Sequence, residues 1–327
     1  DGVEQTAVGP VEIYDPVQAR DRSALIDAIA EAHELATAIP SVNFYVGEGA
    51  GSLHRILAAG IARKLEQGGP QAALYAAENH NHAAEMLAAA VNDALPVALR
   101  ADAGKYVAFL NTVIGKMSGV APAGRAPAAG MAPLAPITPE STDAFLVEAF
   151  NRILVSAPHL PVLPGQAPYA RRIQVFAEKP DLLPFEEAKL YGHNALHAVA
   201  AYLGWSLGLD DMSQLPDHPA ALALARQGAV EEAGFALCRR YAGVDPIFTP
   251  AGFGHYVDDL LARMVNPYLR AAIARVVRDP ARKLGWHDRL VGAMRLALAA
   301  GLEPEALATG AAAAYACLLA ERPDRAN

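Results

Sequence analysis

The chain has 327 residues, more than one hydrophobic core usually spans, so two domains are expected. Hydrophobic residues at 53% and charged residues at 19% describe an ordered globular protein, and a net charge of −8 with no run of basic residues excludes an obvious nucleic-acid surface. No apolar stretch reaches the roughly 18 residues of a membrane span and no basic-then-apolar leader opens the sequence, so a cytoplasmic protein without membrane contact is expected.

The opening, DGVEQTAVGPVEIYDPV, lacks an initiating methionine and reads like the middle of a domain, which gives the expectation of a fragment. Short apolar runs then alternate with amphipathic helices: VEIYDPV, the helix SALIDAIAEAHELA, SVNFYVG, the helix SLHRILAAGIARKLEQG, AALYAAEN, the helix HAAEMLAAAVNDAL and the strand-like KYVAFLNTVIGKM. This alternation predicts an α/β fold, a doubly wound parallel sheet over residues 1–180 with ligands at the carboxyl ends of its strands. Residues 119–139, rich in proline, glycine and alanine, are expected to form an irregular surface connection. From about Phe145 to Phe176 the chain is expected to return as further strands of the same sheet.

From Asp181 the pattern is helical throughout, in FEEAKLYGHNALHAVAAYLG, AALALARQGAVEEAGFALCRRYA, GHYVDDLLARMV and HDRLVGAMRLALAAGL, so residues 181–327 are expected to form an all-α domain. Pro184 suits a first helical turn and Gly204 a helix end. Cys238 and Cys317 are far apart and read as buried free thiols, as suits a reducing compartment.

Residues 185–204 carry the chemistry. On an ideal α-helix Asn194 lies about 140° round and roughly 7.5 Å along from Lys189, and His197 about 80° round and roughly 12 Å along. The three share one broad side, and Asn194 and His197, spaced i,i+3, can touch one small molecule. Oxidising an alcohol needs a base for the hydroxyl proton, donors for the reacting oxygen and a cofactor for the hydride. A lysine serves as that base once burial or nearby positive charge brings its pKa down from about 10.4. Ala188, Leu190, Leu196 and Val199 offer burial, while Glu186, three residues before Lys189, offers an ion pair that would keep it charged on a solvated face.

The pattern Lys-x4-Asn-x2-His followed by Ala-Tyr-Leu-Gly resembles the catalytic helix of the polyol-specific long-chain dehydrogenases, the mannitol dehydrogenase family. NPYLRAAIARVVRDPARKLGWHDRL (266–290) and AALYAAENH are similar to segments of its mannitol-1-phosphate branch. The resemblance covers roughly residues 45 to 310 and is strongest from 185 to 310. It implies an incomplete Rossmann-like nucleotide-binding domain followed by the family's all-α catalytic domain. It also implies a zinc-independent, NAD- or NADP-dependent interconversion of a sugar alcohol or sugar phosphate with its ketose. Lys189 would be the general base, Asn194 would hold the reacting oxygen and His197 a neighbouring hydroxyl. Asn79 would face the same site, and Arg278, Arg282 and Lys283 would hold a hydroxyl or phosphate. The plain alternatives are a helix-capping turn for Asn79 and, for the basic cluster, pairing with Asp279 and Asp288.

Two departures stand out. The family's Val-Asp-Arg at a strand end is Ile114-Gly115-Lys116 here, without the acid. The Gly-x-Gly-x-x-Gly turn expected in the first strand-helix unit is also missing. Its nearest candidate, Gly47-Glu48-Gly49-Ala50-Gly51-Ser52, gives Gly47 and Gly49, with Glu78, as candidate cofactor-binding residues, the alternative being a plain glycine-rich turn. If the first βαβ segment lies upstream of Asp1, the displayed chain is expected to bind a nicotinamide cofactor poorly. Two other readings stand beside this one. A metallohydrolase would use His193 and His197 with Glu78, His80, His82 and Glu85, and a catalytically silent relative would bind carbohydrate or act as a scaffold.

Overall fold

The computed structural model describes residues 4, 6, 9–126, 131–269 and 271–321. Two compact units emerge, Asp1–Ile114 with Arg152–Leu182, and Gly115–Asn151 with Leu183–Asn327.

The first unit contains α1 (Ala19–Glu31), β1 (Glu34–Thr37), α2 (Leu53–Glu66), β2 (Ala72–Ala76), α3 (Ala83–Ala94), α4 (Arg100–Tyr106) and β3 (Val107–Ile114). Numbering in chain order, β4 (Ser118–Pro122) and β5 (Asp143–Val147) belong to the second unit, and β6 (Ile153–Ser156) and β7 (Phe176–Lys179) return to the first. The sheet runs β1-β2-β3-β6-β7; every pairing is parallel except β3 with β6. All five residues of β2 are buried, which explains why AALYA shows no alternation: a central parallel strand is covered on both faces. Ile56, Leu57 and Ile61 of α2 pack with Leu87 and Val91 of α3 against Leu74 and Val107. The sheet with helices on it is the α/β architecture expected from the alternation.

The differences from the sequence reading have local causes. The periodicity of SALIDAIAEAHELA continues past Glu31, yet its last residues form β1, because pairing Glu34 with Ala73 through Thr37 with Ala76 completes the backbone bonds beside β2. VEIYDPV forms no strand and leaves Val11, Ile13 and Val17 exposed. SVNFYVG becomes a 3-10 turn, Val42–Phe44, capped by Ser41, whose Oγ accepts from the Asn43 amide at 3.2 Å.

In the second unit, β4 and β5 form an antiparallel ribbon out of the expected connection and the expected return strand. The centre of that connection, 127–130, lies outside the described residues, as do most of the first eight residues and Arg270 within NPYLR. The rest is helical: α5 (Leu183–Glu187), α6 (Ala195–Ser206), α7 (Pro219–Gln227), α8 (Phe235–Arg240), α9 (Pro250–Met264), α10 (Ile273–Val276), α11 (Pro280–Lys283), α12 (Val291–Ala299) and α13 (Glu305–Ala320). Two of the joints are π-helical, Ala188–Asn194 between α5 and α6 and Gly228–Gly234 between α7 and α8. Helix α6 ends at Leu207 and Gly208, the latter at φ +73°, rather than at Gly204. Among the described residues no helix is long and apolar enough to cross a membrane.

Candidate functional site

Lys189 and Asn194 both lie within the π-helical turn, and His197 follows in the first turn of α6. The ideal α-helical placing of Lys189 and Asn194 is therefore corrected. In a π-turn the hydrogen-bond repeat is i to i+5, so these two residues lie closer to one line than the 140° of an ideal α-helix. Such wide turns are rare and concentrate at functional sites.

The surroundings of Lys189 lower its pKa to about 8, mainly by burial, then by the Arg289 charge, with Glu186 opposing. Apolar neighbours and a nearby cation thus favour the free amine, and Glu186 moderates the effect. His193 is 6% exposed and His197 half-buried; their rings are 6.5 Å apart between centroids. Burial is the first cause that pushes His193 to about 3 and His197 to about 4, with cationic neighbours adding to it, so both imidazoles are neutral at physiological pH. His193 Nδ1 and His197 Nε2 are buried without a hydrogen-bond partner. Arg275, Arg289 and Lys283 surround His197 electrostatically.

The basic cluster divides. Lys283 is buried, its Nζ donating to the Val276 and Arg278 carbonyls and lying 5.7 Å from the centre of the Tyr202 ring. Arg282 is exposed and paired with Asp279 at 2.8 Å and Asp288 at 3.3 Å, which matches its structural alternative. Arg278 is exposed. Arg275 and Arg289, which act on the histidines and lysine, went unnoticed in the sequence, although both lie in the 266–290 segment that carries the resemblance.

Glu148 was also missed. Its carboxylate is buried and accepts from Arg263 Nη1 at 2.7 Å and from the Met117 amide at 2.5 Å, leaving Oε2 without a partner. Arg263 also donates to the Gly115 carbonyl at 3.1 Å and lies 4.0 Å from the centre of the Phe150 ring. Lys116 Nζ donates to the Glu148 and Phe150 carbonyls, each at 2.8 Å. The Gly115-Lys116 departure is therefore tied to Glu148 and Arg263. A lone glutamate inside the apolar FLVEAF was the available signal for it.

Within the first unit, the Glu78 carboxylate accepts from Thr37 Oγ1 at 2.9 Å, the Ile39 amide at 3.0 Å and Tyr45 Oη, so it organises the loops after β1 and β2. Asn79 is exposed in the turn after β2. The N-cap position of α3 belongs to His82, and the amide of Ala84 is capped by Asn111 Oδ1 at 2.9 Å. Gly47 and Gly49 precede α2; Gly51 is fixed by packing, since a Cβ there would lie 2.6 Å from the Pro16 carbonyl oxygen. At the start of α2, Ser52 Oγ and His54 Nδ1 are buried without hydrogen-bond partners. Among the described residues no three His, Cys, Asp or Glu side chains converge to hold a metal ion, which leaves the metallohydrolase reading without a ligand set.

Residues 181–322 match the mannitol dehydrogenase C-terminal domain. Over this region the chain is similar to the mannitol dehydrogenase family. It is 29% identical over 308 residues to a mannitol-1-phosphate 5-dehydrogenase of Brevibacillus brevis, covering 94% of this chain and 70% of that protein. Against the enzyme of that name from Bacillus licheniformis, identity is 38% over 144 residues, 44% of this chain and 36% of the relative. In fold it resembles Pseudomonas fluorescens mannitol 2-dehydrogenase, solved as a ternary complex with NAD and D-mannitol, with TM-score 0.62 at 16% identity over 91% of this chain. A D-sorbitol dehydrogenase in substrate-free form gives TM-score 0.67 at 14% identity over 90% of this chain. The chain spans 62% of the length of each of these two solved chains.

Proposed function

We propose that the protein is a cytoplasmic NAD(P)-dependent oxidoreductase that interconverts a polyol or polyol phosphate with its ketose, with Lys189 managing the hydroxyl proton. The observation that carries this reading is a half-buried lysine with a pKa near 8, in the same π-turn as Asn194. Beside it stand two neutral imidazoles with unpartnered nitrogens. Such a lysine is free base often enough at neutral pH to accept a proton and cationic often enough to return it. Asn194 would hold the reacting oxygen, and His197 Nε2 would take an adjacent hydroxyl. Because Lys189 supplies the proton transfer, the chemistry needs no zinc.

Within the first unit, the start of α2 supports a place for a nicotinamide cofactor. Ser52 Oγ and His54 Nδ1 are orphaned beside the Gly47 and Gly49 turn, where the amino end of α2 favours an anion. Gly47, Gly49 and Ser52 would hold the cofactor there, with Glu78 fixing the adjoining loops. When bound, the cofactor exchanges hydride with the carbon that bears the reacting oxygen. The relatives' names include mannitol-1-phosphate 5-dehydrogenase and mannitol 2-dehydrogenase, which supports a hexitol or its phosphate as substrate. Asn79, Arg278, Arg282 and Lys283 remain the proposed contacts for the rest of the substrate.

The test is absorbance at 340 nm with NADH or NADPH and fructose 6-phosphate, fructose, tagaturonate or fructuronate, with Lys189→Ala as control. Turnover that disappears in the control is expected. Folded protein inactive on all four would instead favour a silent carbohydrate-binding relative.

A further inference from the structure

The Lys189 site holds one more polar group than the reaction uses. His193 lies between Lys189 and His197 on one continuous helix, within the π-turn that also holds Lys189. Its ring is 94% removed from solvent (6% exposed), and Nδ1 has no hydrogen-bond partner. Leaving a buried imidazole nitrogen unpaired is costly, and the same condition recurs one turn on at His197 Nε2, with ring centroids 6.5 Å apart. Two unsatisfied nitrogens of neutral rings at this spacing suit neighbouring hydroxyls of one ligand, each able to donate or accept.

We propose that His193 is a further ligand-contacting residue of this site, whose Nδ1 takes a hydroxyl next to the one taken by His197 Nε2. The ligand is accordingly a chain with hydroxyls on at least three consecutive carbons, one at Lys189 and Asn194 and two at the imidazoles. This rests on the oxidoreductase reading above.

The decisive variants are His193→Leu, which keeps similar volume without the nitrogen, and His193→Asn, whose side-chain amide restores a polar atom near the Nδ1 position. In the full chain, His193→Leu is expected to raise KM for the accepted polyol about tenfold, the factor that about 1.4 kcal/mol represents, with kcat little changed. The thermal midpoint without ligand should not fall, because an unpaired polar atom has been removed. His193→Asn should recover most of the loss in KM. An unchanged KM in His193→Leu overturns the proposal. So does an equal loss in both variants accompanied by a lowered midpoint, which marks a packing role.

Calorimetric titration with mannitol separates the two levels. Binding without turnover in the wild type defeats the oxidoreductase reading, and His193 is then judged by whether the leucine variant loses that binding. No turnover and no binding of mannitol defeats both.

Discussion

The sharpest consequence of the geometry concerns pH. Lys189 stands at about 8 where an exposed lysine stands near 10.5. At pH 7 about one such side chain in ten is the free base, against roughly one in three thousand for an exposed lysine, a gain of about 300-fold in available base. The rate of polyol oxidation should therefore rise about tenfold per pH unit up to pH 8 and then level. Ketose reduction, which needs the protonated amine, should fall above that point. The two charges acting on Lys189 oppose one another, so their removal should separate. Glu186→Gln removes the charge that holds the proton and moves the oxidation profile to lower pH, by about one unit. Arg289→Gln removes the charge that repels it and moves the profile to higher pH. That shift should be the larger of the two, because Arg289 acts on Lys189 more strongly than Glu186 does. The assay is kcat/KM in both directions from pH 6 to 10 at constant ionic strength. A flat profile in both directions, or both variants shifting the same way, would remove Lys189 from the role of base.

Glu148→Gln breaks a pair whose side chains are only 4% and 12% exposed, yet Arg263 keeps Asp259 at 2.9 Å and the Gly115 carbonyl; a loss of about 2 kcal/mol is expected in urea unfolding. Gly115→Asp introduces the acid that the resemblance implies at this position. The nearest atom to a Cβ there, on Phe150, is 4.0 Å away, so the variant should fold with an unchanged melting midpoint while its kcat/KM for hexitols changes. Glu232→Gln weakens the carboxylate that accepts from the Ala306 and Leu307 amides at 2.8 and 2.9 Å in the first turn of α13. About 1–2 kcal/mol of stability should go, read by calorimetry. Gly234→Ala places a methyl 2.6 Å from Phe253 and 2.7 Å from the Ala229 carbonyl oxygen and should cost about 1–3 kcal/mol by the same measurement.

What could be read from the sequence follows from how local its causes are. AALYA reads as a short continuous apolar run, HAAEMLAAAVNDAL and the long helix around Lys189 carry their periodicity within themselves, and the helix also carries a motif. β1 could not be read, because only pairing with β2 turns the end of a helical pattern into a strand. Glu148, Arg263 and Arg289 were hidden for a similar reason: their partners lie far away in the chain, or their charge acts through space. The π-turn was hidden because GHN carries no periodicity that distinguishes i+4 from i+5; the widening becomes visible only in what packs against it.

That packing explains why the widening persists. A π-turn is less favourable than the α-helix that flanks it on both sides, so it needs tertiary contacts that an α-turn would lose. Phe253 supplies one of them to both π-turns at once. A Cβ on Gly192 would lie 2.9 Å from its ring and one on Gly234 2.6 Å, so the ring sits where only glycine leaves room in each turn. The second π-turn carries Glu232, which caps α13, and α13 packs against α6 where Gly310 meets Val199 at 2.5 Å from its missing Cβ. The contacts thus run from the Lys189 turn through Phe253 and the Glu232 turn to α13, and return to the helix that holds His197. Proton transfer from a substrate tolerates little error in position, and a site built on this closed circuit is held at both ends by packing. An alanine at Gly234 should therefore lower kcat as well as stability, although residue 234 touches neither Lys189 nor Asn194 in sequence or by charge.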